Sequence, residues 1–168
     1  FHPGTGSGGR NRDGRIVGNV MYTKARLTDE NGKEAVILTF GPISVHPDFQ
    51  RKGISKLLLE YSFEEARRLG YQAVVIFGDP DNYVSRGFKS CSRYNVCAGD
   101  GSYPAAMLVL ELLPGLLDGR KWVYQESPAY AFDPADVEPF DRQFEPLKKE
   151  FRPSQESFYI HSHSVLSI

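Results

Sequence analysis

The feature that most constrains the fold of this sequence is a strand-length run of β-branched residues that follows a helical pattern. Residues Ala73–Phe77 read AVVIF, a continuous apolar run typical of a strand buried on both faces. Before this run, residues 54–69 repeat apolar side chains at helical spacing up to Gly70, a glycine typical of a helix C-terminus. Because residues Glu34–Val45 also read as a strand, the order strand, helix, strand predicts a right-handed parallel crossover.

A hairpin is predicted immediately before this crossover. Apolar and more polar residues alternate from Ile16 to Tyr22, as in a half-buried strand, and the turn sequence DENG at residues 29–32 leads into Glu34–Val45. The second strand is interrupted by the Gly-Pro pair at residues 41–42, which predicts a bulge or splay. Backbone amides that lose their sheet partners there become candidate ligand donors.

Composition divides the chain into three parts. Residues 1–13 are rich in glycine and have no apolar period, which predicts a flexible lead-in. Residues 14–125 form the predicted core, and residues 126–168 a C-terminal extension with a short helix and an arm. The helix is expected after Asp133, and the last twelve residues are expected to add an edge strand or to wrap the surface.

The remaining core elements are shorter. A helical turn is predicted at residues 82–86, and strands are predicted at residues 89–94 and 106–112. The sequence begins at Phe1 rather than at methionine, which suggests that translation began upstream of this residue.

Charge and composition exclude several classes of protein. Lysine and arginine number 20 against 21 acidic residues, and a net charge of −1 argues against a nucleic-acid binder. The most apolar stretch, residues 105–117, is too short to cross a membrane. Only two cysteines are present, so a disulfide scaffold is excluded and a reducing cytoplasm is the expected location. No metal is predicted, because His161 and His163 have no third ligand near them in sequence.

An anion site is predicted where the long helix begins. The segment QRKGIS at residues 50–55 supplies two cations and a glycine at a helix N-terminus, where free N–H groups and the helix dipole favour a diphosphate. The segment lacks the GxxxxGK[ST] and GxGxxG phosphate-binding patterns. An ordinary solvated turn is the alternative interpretation of the same residues.

In its wider context, this segment resembles the acyl-CoA site of the GNAT superfamily of N-acetyltransferases. Gln50, Gly53 and Ser55 fall on the three positions of the family signature Gln/Arg-x-x-Gly-x-Gly/Ala, although Ser55 departs from the usual glycine or alanine. The resemblance implies that Arg51 and Lys52 also contribute to binding of coenzyme A. It extends from about residue 14 to residue 112, and therefore over most of the predicted core.

Two further motifs carry the same resemblance. In this family the bulged strand parts from its neighbour and pairs with the pantetheine arm of coenzyme A, and Ile43 and Val45 occupy those positions here. The segment FGDPDNYVSRGF resembles the second half-site, where a tyrosine four residues before a Gly-Phe pair protonates the departing thiolate; Tyr83 holds that position before Gly87. The implied fold is α/β (α+β), with a mixed, mostly antiparallel sheet, a splayed strand and flanking helices.

The implied activity is transfer of an acetyl group from acetyl-CoA to a primary amine by direct attack in a ternary complex. The acceptor would be a small-molecule or peptide amine. A non-catalytic acyl-CoA-binding or interaction domain is the alternative, and a flavodoxin-like nucleotide domain is disfavoured by the opening hairpin. The general base stays open among Glu34, Glu111, His46 and a water chain. A nucleophilic role for Cys91 or Cys97 is disfavoured because no histidine and asparagine partners are readable nearby.

Members of the family usually carry a strand and two helices before the hairpin, and these helices build the acceptor cleft. Here the glycine-rich lead-in stands in their place. The acceptor site would then be completed by an element outside the sequence, by the C-terminal extension or by a second subunit. The apolar flank that the helices would cover favours self-association, as in a homodimer.

Overall fold

The predicted hairpin and crossover form the centre of one mixed sheet. The computed structural model describes residues 6–10, 13–146, 148 and 150–167. The helices and strands in chain order are β1 (Gly6–Arg10), β2 (Ile16–Asp29), β3 (Glu34–Val45), α1 (Ile54–Arg68), β4 (Ala73–Phe77), α2 (Pro80–Tyr83), β5 (Lys89–Ser90), β6 (Val96–Cys97), β7 (Met107–Glu111), β8 (Trp122–Gln125), α3 (Pro134–Asp141) and α4 (Pro153–Ser162).

The sheet has the strand order β5-β7-β4-β3-β2-β8-β6, and β1 pairs with β2 as well. Both β1 and β8 lie along the outer edge of β2, β1 beside its first half and β8 beside its last four residues. The pairs β3–β4 and β6–β8 are parallel, and the other pairs are antiparallel. The predicted mixed, mostly antiparallel sheet with flanking helices is therefore confirmed.

The two faces of the sheet bury separate apolar clusters. The first cluster packs α1 against the sheet and includes Leu38, Phe63 and Val74. The second cluster, on the opposite face, includes Leu27, Val75 and Trp122. Alternation along the strands separates the clusters, because neighbouring residues such as Val74 and Val75 point to opposite faces. Burial on both faces explains why the AVVIF run has no polar positions.

The local signals in the hairpin and the long helix act as predicted. The Asp29 carboxylate accepts hydrogen bonds from the backbone N–H groups of Asn31 (2.9 Å) and Lys33 (2.8 Å), which closes the turn between β2 and β3. Helix α1 ends just before Gly70, which adopts the left-handed conformation (φ 84°). A glycine takes this conformation without steric cost, which is why it marks the helix end.

The expectation of a flexible lead-in over residues 1–13 is wrong for Gly6–Arg10, which form strand β1 beside β2. Residues 1–5, 11 and 12 lie outside the described part of the chain. A side chain on Gly9 would come within 3.3 Å of Leu58 on α1, so the absence of a side chain lets β1 lie close to the helix. Strand β1 is held by backbone pairing, and its glycines give no apolar pattern to detect.

The short strand expected at residues 89–94 is confirmed only for its first two residues. Strand pairing ends at Ser90, and residues Cys91–Tyr94 turn into a 3-10 helix that ends at Asn95 in the left-handed conformation (φ 52°). This turn buries Cys91 completely in the second cluster. Burial of the thiol against that face therefore replaces continued strand pairing.

The C-terminal extension is also more helical than expected. Helix α3 begins as predicted after Asp133, whose carboxylate accepts a hydrogen bond from the Ala135 N–H at 2.9 Å. Helix α4 replaces the expected arm and most of the expected edge strand, and only an isolated bridge between Pro104 and Val165 remains of the latter. Among the described residues, no helix is long and apolar enough to cross a membrane.

Gly18 on β2 sets how closely α1 approaches the sheet. A Cβ atom at this position would lie 2.9 Å from Leu58 Cδ1, 3.1 Å from Ile54 Cγ2 and 3.3 Å from the Ser44 carbonyl oxygen. Any side chain here therefore pushes the first turns of α1 away from β2 and β3.

We expect Gly18→Val to destabilise the fold by about 1–3 kcal/mol, because extra methyl groups in a packed interface force backbone shifts. The matched control is Gly99→Val, since a Cβ at exposed Gly99 meets no atom within 4 Å. Urea unfolding of both variants measures the difference. Equal stability of the two variants would contradict the close packing of α1 on β2.

Candidate active site

The sheet opens between its two central parallel strands. Strands β3 and β4 are in register at one pair only, Leu38 and Val74. Beyond this pair β4 continues beside β7 to Phe77, whereas β3 continues beside β2 to Val45. The two strands therefore part toward their carboxyl ends, which confirms the predicted splayed strand.

The backbone of β3 faces the resulting gap at the two predicted positions. The His46 N–H donates to the Val17 carbonyl oxygen at 2.8 Å, so His46 and Val17 form a hydrogen-bonded pair. Hydrogen-bonded and non-bonded pairs alternate along an antiparallel ladder, so Val45 and Ile43 belong to non-bonded pairs. Ile43 and Val45 therefore direct their N–H and C=O groups away from β2 and toward the gap. The Gln50 side chain, which donates to the Val45 carbonyl oxygen at 3.2 Å, lies on that side.

The bulge in β3 contributes to this arrangement. The register between β2 and β3 shifts between Val20 and Tyr22, opposite the Gly-Pro pair at residues 41–42. The Tyr130 hydroxyl donates to the Gly41 carbonyl oxygen at 3.2 Å from the C-terminal extension. One interrupted strand therefore exposes backbone to the gap and contacts the extension.

The N-terminus of α1 lies next to the end of β3. Gly53 is the N-cap residue in the left-handed conformation (φ 79°), and no side chain caps the first turn. The first turn also contains no acidic residue. Its backbone N–H groups and the positive end of the helix dipole are therefore available to an anion.

The basic pair before this helix is held by its own turn. Lys52 Nζ donates to the Asp48 carbonyl oxygen at 2.8 Å and lies 5.2 Å from the centre of the Phe49 ring. Arg51 is exposed and adopts the left-handed conformation (φ 58°). Both cations lie within three residues of the uncapped helix start.

One cavity brings three of the predicted residues together. It has a volume of about 230 Å³ and lies on the α1 side of the sheet. Its lining residues are Ile43, Ser55, Leu59, Asn82, Tyr83 and Arg86. The gap, the helix N-terminus and the tyrosine of the second motif therefore converge on one space.

Tyr83 is positioned by aromatic packing and by a glycine. Its ring centre lies 5.8 Å from those of Phe40 and Phe88. A Cβ on Gly78 would lie 2.6 Å from Tyr83 Cε2, so only glycine leaves room for this ring position. Burial raises the pKa of the Tyr83 hydroxyl above its ordinary value of 10.0, while nearby Arg86 acts in the opposite direction. Tyr83 is therefore protonated at neutral pH.

The three side chains considered as general bases are engaged elsewhere. His46 caps the short turn after β3 by accepting from the Asp48 N–H at 3.3 Å. Glu34 pairs with Arg26 at 3.3 Å near the start of β3, far along the strand from the gap. The Glu111 carboxylate accepts from the Gly115 N–H at 2.9 Å at the end of β7.

The cysteines and the two late histidines are not among the residues that line the cavity. Both cysteines are unpaired and buried in the second cluster, and burial raises the pKa of the Cys91 thiol to about 11. His163 stacks on Tyr159 at 4.1 Å, whereas His161 faces Asp79. Among the residues that the structure describes, no three potential metal ligands cluster.

The sequence interpretation missed several residues around the cavity. Asn82 and Arg86 line it, and Gly78 and Asp79 form the turn that places Tyr83. The GDP segment before the tyrosine offered a signal, because Asp79 followed by Pro80 is a typical helix start. No local pattern pointed to His161, which reaches this turn from the C-terminal extension.

The fold is shared with solved acetyltransferase structures. The crystal structure of the GNAT family N-acetyltransferase YhbS from Escherichia coli in complex with CoA has a TM-score of 0.65 at 21% identity, over 74% of this chain and 68% of that chain. A GNAT family acetyltransferase from Brucella melitensis in complex with acetyl-CoA has a TM-score of 0.52 at 22% identity, over 72% and 65% of the two chains.

The sequence comparison identifies the same relative. The uncharacterized N-acetyltransferase YhbS of Escherichia coli (strain K12) is 25% identical over 108 residues, which are 64% of this chain and 62% of the relative. This chain therefore spans less than two thirds of the length of that protein. Residues 2–90 match the profile of the Acetyltransferase (GNAT) family. Because this match covers more than half of the sequence, the chain belongs to the GNAT family of acetyltransferases.

Proposed function

We propose that the protein transfers an acetyl group from acetyl-CoA to a primary amine by direct attack of the amine in a ternary complex. The observation that carries the proposal is the parting of β3 from β4 beside an uncapped helix N-terminus, with Tyr83 on the cavity between them. The CoA and acetyl-CoA complexes of the two structural neighbours support the choice of substrate.

The proposal assigns coenzyme A to two adjoining surfaces. The backbone groups of Ile43 and Val45 pair with the amides of the pantetheine arm, as an added strand would. The diphosphate lies at the first turn of α1, against the segment from Gln50 to Ser55. Arg51 and Lys52 supply positive charge there, and Gly53 lets the backbone approach the phosphate oxygens closely.

Tyr83 is the proposed general acid. When the amine attacks the thioester carbon, negative charge grows on the carbonyl oxygen, and a backbone N–H of β3 facing the gap stabilises it. The carbon–sulfur bond then breaks, and the thiolate takes a proton from the Tyr83 hydroxyl. The conjugate thiol has a pKa of about 8.5, below that of the buried tyrosine, so the thiolate takes this proton only at short range and positioning is the main requirement.

We also propose that two copies of the protein associate through a different surface. A groove of about 300 Å³ between β1 and α1 has Leu57 and Tyr61 along it, with 64% and 60% of these residues exposed. An apolar patch of this kind favours association with a second copy. We also keep the cytoplasm as the proposed location, because Cys91 and Cys97 are unpaired thiols.

The proposed substrate is tested by thermal and chemical unfolding with and without acetyl-CoA. A ligand that binds only the folded protein adds about 2.7 kcal/mol at a concentration 100 times its Kd. We expect acetyl-CoA to stabilise the protein and ATP or NAD at the same concentration to do so less. A larger stabilisation by ATP or NAD would overturn the assignment.

Tyr83→Phe separates catalysis from simple binding. We expect this variant to release free thiol from acetyl-CoA about 100-fold more slowly with an amine acceptor, because general acid catalysis contributes at least this factor. The amine panel contains a polyamine, an amino sugar, a lysine peptide and a peptide with a free N-terminus. The Kd for coenzyme A should stay unchanged, since the aromatic ring remains.

The control for this comparison is Tyr61→Phe, on the exposed side of α1. Full activity of Tyr83→Phe would show that Tyr83 is not the general acid. If the unaltered protein binds acetyl-CoA but releases no thiol with any amine, the protein is an acyl-CoA-binding domain instead.

Charge reversal tests the diphosphate position. We expect Arg51→Glu with Lys52→Glu to weaken binding of CoA by at least tenfold and to leave acetyl-pantetheine unchanged, because only CoA carries the phosphates. The control reverses two other exposed lysines, Lys33 just before β3 and Lys121 just before β8. It changes the net charge of the protein by the same amount. Equal losses for both ligands, measured by calorimetry, would show that the basic pair is structural.

A further inference from the structure

A histidine and a carboxylate face each other just beyond the carboxyl end of β4, and the proposed reaction does not use them. The carboxylate is Asp79, which follows β4 and is only 9% exposed. Its Oδ1 atom lies 3.7 Å from Nδ1 of His161, a residue of helix α4. We infer that His161, oriented by Asp79, accepts the proton that the incoming amine must lose, an inference that rests on the proposed acetyl transfer.

The fold connects this pair to the proposed acid through the short helix α2. Asp79 caps α2 by accepting from the Asp81 N–H at 3.1 Å, and α2 ends at Tyr83. The residue before it, Gly78, leaves room for the Tyr83 ring because it has no side chain. One turn therefore carries both the proposed acid, Tyr83, and the carboxylate that faces the histidine, Asp79. This turn follows the carboxyl end of β4, where β4 has parted from β3.

The segment that carries His161 is anchored on the face of the sheet opposite α1. Leu166 packs against the second cluster, and its N–H donates to the Tyr103 carbonyl oxygen at 2.8 Å. The His161 carbonyl oxygen accepts from the Ala106 N–H at 3.2 Å, just before β7. In the proposed complex, acetyl-CoA occupies the α1 face, so an amine that enters through the gap from the other face passes this segment.

The two ring nitrogens of His161 have different surroundings. Nδ1 is buried and has no hydrogen-bond partner among the described residues, whereas the side chain as a whole is 33% exposed. A carboxylate facing Nδ1 favours the tautomer with the proton on that nitrogen, which leaves Nε2 as the acceptor. A proton taken up on Nε2 makes the ring cationic, and the buried Asp79 carboxylate stabilises that charge.

Asp79 is the charged group that the contacts of the described residues place against this ring. On α4 itself, His163 is turned away, because its Nδ1 lies 2.8 Å from the Tyr159 carbonyl oxygen. The residues before β7 contact His161 through the Ala106 backbone. His161 is therefore paired with one carboxylate, in the manner of a histidine base oriented by an acid.

The proton balance of the reaction is closed by this assignment. An alkylammonium acceptor transfers one proton to His161 Nε2, and the neutral nitrogen then forms a bond to the thioester carbon. The carbon–sulfur bond breaks, and the thiolate takes the Tyr83 proton. The second proton lost by the nitrogen reaches Tyr83 through solvent and restores its hydroxyl, while His161 releases its proton to water. The products are the amide, the free thiol and one proton.

The variants His161→Gln and Asp79→Asn test the inference, with His163→Gln as the matched control on the same helix. Thiol release is measured with the most active amine of the panel at pH 7 and at pH 9. At pH 7 we expect His161→Gln to be about 100-fold slower than the unaltered protein, and Asp79→Asn to be slower in the same direction. His163→Gln should keep the full rate, and all variants should keep their affinity for CoA.

The pH dependence separates a base from a structural residue. Below the pKa of an alkylammonium group, the concentration of the deprotonated amine rises tenfold per pH unit. A variant that lacks the base therefore regains activity at higher pH, because solvent has already removed the proton from the amine. We expect the deficit of His161→Gln to shrink at least tenfold between pH 7 and pH 9. An equal deficit at both pH values, or no deficit at pH 7, overturns the inference while the proposed function stands. No thiol release by the unaltered protein overturns both.

Discussion

The structure depends on how little β3 and β4 pair with each other. An inner strand of a sheet ordinarily forms backbone hydrogen bonds with a neighbour on each side. Here β3 and β4 pair with each other at only one register position, Leu38 with Val74. Beyond it, each strand keeps only its antiparallel neighbour. The sheet stays intact because those outer pairings are long, and the gap between them supplies unpaired backbone groups that a substrate can satisfy.

Packing on the α1 face keeps this gap in place. Phe40, Phe88 and Tyr83 form an aromatic group under the opening, with ring centres about 6 Å apart. Because cores are close-packed, such a group resists closure of the strands. Gly18 brings the first turn of α1 up to β2, so that the helix N-terminus reaches the end of β3. The cavity and the position of the uncapped helix N-terminus are thus consequences of the same packing.

The sequence predicts the elements whose stability is local and misses those that depend on distant partners. The run AVVIF and the helix before it carry their periodicity in their own side chains, so β4 and α1 were predicted. Strand β1 consists mainly of glycine and is defined by β2, and α4 has no clear apolar face. The pairing of His161 with Asp79 joins residues from two separate parts of the chain, and neither residue has a local pattern that indicates the other.

The backbone bridge between Pro104 and Val165 has a consequence for biosynthesis. The ribosome makes the hairpin, α1 and β4 before β7, and α4 follows all eight strands in the chain. A nascent chain can therefore assemble the α1 side of the sheet while the opposite side is still open. The segment after α4 can fold back onto Pro104 only once synthesis has passed Val165, so the two faces of the sheet are completed one after the other.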